Sequence, residues 1–170
     1  MLQKSNYEKV MEIFFKEPTQ AHFIREISKR IPLAQTSVKK YIMEIEKEGM
    51  IIKRKTFHFD GFLANRDNEK FLFYKRAYNL ISLFEVQAEI ARKIAPKAII
   101  LFGSYQRGED IEESDIDLLV ISKVRDEISL KKYEKDLLRN IHITFAVGLE
   151  KLDENIRENV KKGWVIYGQA

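Results

Sequence analysis

Apolar residues recur at helical spacing from the start of the chain. Tyr7, Val10, Met11, Phe14 and Phe15 share one face, which predicts a helix over about 7–15. Pro18 ends that pattern. Thr19 is placed to cap a second, short helix over about 20–29 that turns Phe23, Ile24 and Ile27 inward. Pro32 and Leu33 make a turn, and a third helix over 35–48 directs Val38, Ile42 and Ile45 to the same core before Gly49 stops it. The period then changes. Residues 50–59 form an extended, β-branched and aromatic run, Asp60-Gly61 has turn chemistry, and residues 62–65 return as a second strand.

Helical spacing resumes over 66–95. Asp67 or Asn68 supplies an N-cap, and Pro96 lies just past the end. Phe71, Tyr74, Tyr78, Ile81, Leu83, Phe84 and Ala88 make a wide stripe, expected to pack two domains together and to leave part of itself for self-association. Residues 97–102 are a continuous apolar run of the kind buried on both faces of a sheet. An acidic loop with Glu109, Asp110, Glu112 and Glu113 separates it from a second such strand over 114–122. A helix over about 130–139, a strand over 140–147 and a helix holding Leu152, Ile156 and Val160 complete the pattern, with a short apolar segment before Gly168. The expectation is an α+β chain in three parts: 1–66, a connecting helix over 67–95, and 96–170.

Charge sharpens the first part. Residues 1–66 hold 13 Lys/Arg against 8 Asp/Glu, whereas the remainder is close to neutral, so the excess positive charge points the N-terminal part at a polyanion. Three short helices followed by a basic hairpin make a winged helix-turn-helix, whose third helix leads into the DNA major groove with its N-terminal residues. Here those are Gln35, Thr36, Ser37, Lys39 and Lys40, with Lys53, Arg54 and Lys55 on the wing. Amides and hydroxyls read base edges while lysines pair with phosphates. Double-stranded DNA is therefore an expected partner and a homodimer a natural extension. With no cysteine, disulfides and thiolate zinc sites are excluded, and His22, His58 and His142 are too dispersed for a zinc site. No apolar run approaches the roughly 20 residues that cross a bilayer. The chain opens straight into an amphipathic pattern, so no membrane contact and a cytoplasmic location are expected.

The chemistry concentrates between residues 97 and 122. Asp115 and Asp117 lie two apart on an expected strand, so both carboxylates point to one face. That pair of hard oxygen ligands suits Mg²⁺, with Mn²⁺ as the alternative, bridging the phosphates of a nucleotide. Gly103-Ser104 ends the preceding strand. If a helix opens there, free N–H groups and the Ser104 hydroxyl can hold a phosphate, with Arg107 adding a charge-assisted contact.

Gly103-Ser104, Arg107-Gly108 and Ser114-Asp115-Ile116-Asp117-Leu118 resemble the signature of the DNA polymerase β-type nucleotidyltransferases, in particular the minimal domains of archaea and bacteria. The likeness covers about residues 90–170. The whole chain looks similar to archaeal proteins that join a winged helix to such a domain. The resemblance implies a small mixed sheet flanked by helices. It also implies attack of an acceptor hydroxyl on the α-phosphate of a nucleoside triphosphate. By that likeness Asp115 and Asp117 are the catalytic metal ligands, and Gly103, Ser104, Arg107 and Ser114 contact the nucleotide. Active members of the family carry a third carboxylate on a later strand. Residues 140–147 hold none, and His142 or Thr144 stands at that position. Two alternatives stay open: a non-catalytic nucleotide-sensing or dimerisation domain of a transcriptional regulator, and transfer to another protein as acceptor.

Overall fold

The chain divides into two units, Met1–Lys75 and Arg76–Ala170, and the division falls inside a helix. The computed structural model describes residues 4–55 and 60–169.

In the first unit, α1 (Asn6–Lys16) starts at a capping box. Ser5 Oγ accepts from the Glu8 N–H at 3.2 Å, and the Glu8 carboxylate accepts from the Ser5 N–H at 2.7 Å. Helices α2 (Ile24–Arg30) and α3 (Gln35–Lys47) follow. None is long enough to stand alone in water, so packing must hold them. Val10, Phe14, Ile27, Val38, Ile42 and Ile45 supply it, all fully buried. Gly49, at φ +73°, ends α3 in a left-handed conformation that a side chain would strain. Strands β1 (Ile51–Lys55) and β2 (Asp60–Ala64) pair antiparallel, Ile51 opposite Ala64 and Lys55 opposite Asp60.

Two local expectations change here. Helix α2 begins at Ile24 rather than Gln20, and its N-cap is Phe23 rather than Thr19. The reason is pairing: His22 and Phe62 exchange backbone hydrogen bonds of 2.8 Å each way, which draws that segment onto the hairpin as an extended bridge. Asp60-Gly61 lies within β2, not in the turn. The rest of the predicted run, residues 56–59 with His58, lies outside the described residues.

Helix α4 (Glu69–Ser82) carries the division between the units, and α5 (Phe84–Ile94) follows it. The sequence predicts one helix through this region, capped by Asp67 or Asn68, and it is Asn68 Oδ1 that accepts from the Phe71 N–H, at 2.9 Å. The helix breaks at Leu83, where the Ser82 hydroxyl donates to the Asn79 carbonyl at 2.7 Å and meets the Tyr105 hydroxyl at 2.9 Å. Of the predicted stripe, Phe71 and Leu83 are buried, whereas Tyr74, Ile81 and Phe84 are exposed. Among the described residues no helix is long and apolar enough to cross a membrane.

The remaining elements are β3 (Ala98–Phe102), α6 (Gly103–Arg107), β4 (Ile116–Ile121), α7 (Lys131–Leu137), β5 (Ile141–Ala146), a single 3₁₀ turn (Leu149–Lys151), α8 (Glu154–Lys161) and β6 (Trp164–Gly168). The described strands form a mixed sheet in the order β5-β4-β3-β6. Strand β3 is antiparallel to both neighbours, while β4 and β5 are parallel. Every residue of β3 is buried, as the unbroken apolar run requires. Alternation splits the sheet's side chains between two layers. Ile99, Leu101, Leu118 and Val120 pack with Val86, Ile90 and Ile94 of α5. Ala98, Ile100, Phe102, Leu119 and Ile121 pack with Val160 of α8. Asp117 shares the parity of Leu119 and Ile121, so it stands at the end of the α8 layer.

Candidate active site

The site is built where β3 stops. Phe102 is the register partner of Asp117, and the chain turns at Gly103 directly into α6. Gly103 sits at φ +80°, and a Cβ there would fall inside van der Waals contact with Asp117 Oδ2. The backbone angle requires glycine, and a side chain there would also push the Asp117 carboxylate aside. Gly103→Ala is expected to destabilise the unit by about 1–3 kcal/mol and to displace Asp117. Denaturant midpoints and nucleotide affinity measure the two effects, and an unchanged midpoint would remove this account of the corner.

Short as it is, α6 is held from several sides. Asn79 Nδ2 donates to the Tyr105 carbonyl at 2.8 Å and to Asp110 Oδ1 at 2.8 Å, and Arg76 Nε donates to the Arg107 carbonyl at 2.8 Å. The Tyr105 side chain is buried against Ser82, and burial raises its hydroxyl pKa well above the ordinary value. Asp110, in the acidic loop, is buried and paired with the equally buried Arg139 at 3.3 Å. This pair ties the loop between α6 and β4 to the segment leading into β5.

Asp117 itself is half-buried. Desolvation, first, and the nearby Asp115 charge raise its pKa above 3.8, while His142 and Arg107 oppose the shift. A carboxylate held partly out of water beside a second carboxylate is a donor set that a divalent cation relieves. His142 is its register partner on β5, with Nδ1 3.6 Å from Asp117 Oδ1. Asp115 lies one residue before β4 rather than within it, and its Oδ1 accepts from Asn140 Nδ2 at 3.1 Å. Ser114 Oγ accepts from the Ile111 N–H at 3.0 Å and closes the loop before Asp115. Arg107 is exposed and pairs with Glu109 at 2.7 Å, so reaching a phosphate requires it to leave that carboxylate. Gly103 and Ser104 are half-buried at the corner.

Beside Asp115 opens a cleft of about 330 Å³, lined by Glu112, Glu113, Ser114, Glu134, Lys135 and Asn140 among others. Asn140, Asn79 and Arg139 were not singled out from the sequence. Asn79 alone left a trace, as a polar residue at a buried position of an amphipathic helix.

In the first unit, Gln35, Thr36, Lys39 and Lys40 are exposed at the start of α3, and Ser37 is half-buried. A groove of about 450 Å³ runs past Thr36, Lys39, Lys40, Met43, Glu44 and Lys47. Lys53, Arg54 and Lys55 are exposed on β1. Glu17, His22 and Glu26 bring ligand atoms within 4.8 Å of one another, and among the described residues no other His, Asp or Glu trio is as tight, Asp115, Asp117 and His142 included. Arg30 already bridges both of those glutamates, at 2.6 and 3.2 Å, so this cluster is satisfied as an ion-pair network.

A mixed sheet flanked by helices, with Asp117 against the Gly103 corner, fits the nucleotidyltransferase class, and residues 85–168 match the nucleotidyltransferase domain family. That places a nucleotidyltransferase domain in the second unit. Over 59 residues the chain is 49% identical to a protein of Methanocaldococcus jannaschii named as a candidate protein adenylyltransferase. The stretch is 35% of this chain and 54% of that protein, so the chain spans about half the length of this relative.

Proposed function

We infer that the second unit transfers a nucleoside monophosphate from a triphosphate to an acceptor hydroxyl, and that the first unit is a winged helix-turn-helix that binds double-stranded DNA. The observation that carries the enzymatic reading is Asp117. It is partly desolvated on an interior strand, against a glycine with no room for a side chain, inside the stretch that matches the family. Asp115 and Asp117 hold Mg²⁺ or Mn²⁺, which when bound neutralises phosphate charge and eases deprotonation of the acceptor. Gly103 and Ser104 position the triphosphate, Ser114 keeps the loop before Asp115 closed, and Arg107 exchanges Glu109 for a phosphate oxygen.

Charge supports a protein acceptor over a nucleic acid. Three glutamates line the cleft beside Asp115 against Lys135 and an Arg139 already paired with Asp110, so the lining favours an acceptor less anionic than a nucleic acid. The name of the Methanocaldococcus relative agrees with this choice. The test uses nucleoside triphosphates labelled at either the α- or the γ-phosphate, incubated with cell lysate and Mg²⁺ or Mn²⁺. Label from the α position should appear on a protein band, and label from the γ position should leave as pyrophosphate. Retention of γ label, or of neither, rejects the reading.

A second reading has its own observation: β5 carries His142 and Thr144 where an acid is expected. A nucleotide-sensing regulator would bind metal and triphosphate without turnover and change its DNA affinity in response. For the first unit, Lys39→Glu with Lys40→Glu is expected to weaken binding similarly across DNA sequences. Each lost phosphate contact should reduce the slope of log affinity against log salt by about one. A salt slope identical to that of the unchanged protein would remove α3 from the DNA interface.

A further inference from the structure

The geometry points to His142 as a metal ligand beside Asp117, which makes this a mixed nitrogen–oxygen site that favours Mn²⁺ over Mg²⁺. The inference rests on the proposed metal-dependent function and specifies its ion. Asp117 and His142 are direct register partners on parallel strands, so their side chains leave the sheet on the same face, next to one another. The 3.6 Å between Nδ1 and Oδ1 is long for a strong hydrogen bond. It suits co-ligands: an ion about 2.0–2.2 Å from each of two donors sets them roughly 3–4 Å apart.

His142 is 66% exposed, so its ring is free to turn a nitrogen toward an ion without breaking any packing. None of Ile141–Ala146 carries a carboxylate, which leaves the imidazole as the charge-seeking donor that β5 offers on this face. Donor chemistry then decides the ion. Mg²⁺ takes oxygen ligands and gives up its waters reluctantly, so it gains less from an imidazole than does Mn²⁺, a first-row transition ion that shares its carboxylate chemistry.

The test uses the full chain with Mn²⁺ or Mg²⁺, with and without a non-hydrolysable nucleoside triphosphate. Titration calorimetry should give tighter Mn²⁺ than Mg²⁺ binding. Pulsed electron paramagnetic resonance of the bound Mn²⁺ should show modulation from a directly coordinated ¹⁴N. His142→Ala should abolish that modulation and weaken Mn²⁺ by at least about tenfold. His142→Asp, which restores an all-oxygen set at an exposed position, should reverse the preference toward Mg²⁺. If Mn²⁺ binds, depends on Asp117, and shows the same signal with or without His142, the inference is overturned while the proposed function stands. If neither ion binds even with nucleotide, both fall.

Discussion

Asp117→Asn should raise the stability of the ion-free protein at neutral pH and at the same time remove its nucleotidyl transfer. The folded pKa of Asp117 is shifted upward, by desolvation first and by Asp115 in addition. The folded state therefore binds its proton more tightly than the unfolded chain, whose value lies near 3.8. Stability falls as pH rises through the interval between those two values, and the penalty persists at pH 7. Below that interval both states are protonated and the penalty vanishes. Asparagine has nearly the same shape and no charge, so its advantage should emerge only as the pH climbs through the interval. Thermal midpoints between pH 3 and pH 8 measure it. Divalent ion should then invert the order, because ligand binding raises the midpoint of the unchanged protein and leaves the variant where it was. Loss of the ion's charge stabilisation, about 4 kcal/mol, corresponds to roughly 10³-fold slower transfer. A variant less stable than the parent at pH 7, or one that still gains stability from the ion, contradicts the assignment.

The second large effect belongs to a residue that touches no substrate. Asp110→Ala breaks the buried ion pair with Arg139 and removes one acceptor of the Asn79 amide. Breaking a buried pair from one side costs about 3–5 kcal/mol, a large part of a small domain's total. Urea unfolding should show this as a lower midpoint. The exposed Glu113→Ala, a few residues away, should stay within about 0.5 kcal/mol. Equal effects from the two variants would mean that the Asp110–Arg139 pair is not structural. Because the same loop leads into Asp115, Asp110→Ala is also expected to weaken nucleotide binding in protein that remains folded.

These two aspartates show what can be read from a sequence and what cannot. Asp117 was legible because its neighbours are informative: Ile116 and Leu118–Ile121 mark an interior strand, where a lone acid is costly without a cation. The β3 run was legible for the same reason, since five apolar residues in a row before a glycine allow few other outcomes. Asp110 was not legible. It sits among Glu109, Glu112 and Glu113, and nothing local marks which acid turns inward. Its partner is 29 residues away, and only the fold brings them together. The same holds for Asn140 and Asp115, which meet across the β4–β5 pairing. At the hairpin, Asp60-Gly61 has turn chemistry and yet lies in a strand, because it pairs with Arg54 and Lys55 of β1. Local propensity yields to pairing when the pairing buries Phe62 and Ala64.

The strand order β5-β4-β3-β6 has a dynamic corollary. Asp117 rides on a strand flanked on both sides, whereas His142 rides on a boundary strand with one neighbour among the described strands. Amides along β5 should thus exchange with deuterated water sooner than those of β3 and β4, since a boundary strand frays before the middle of a sheet does. Anything that bridges the two side chains would staple that margin down, and slowed exchange over residues 141–146 would report its arrival without any need to watch the reaction.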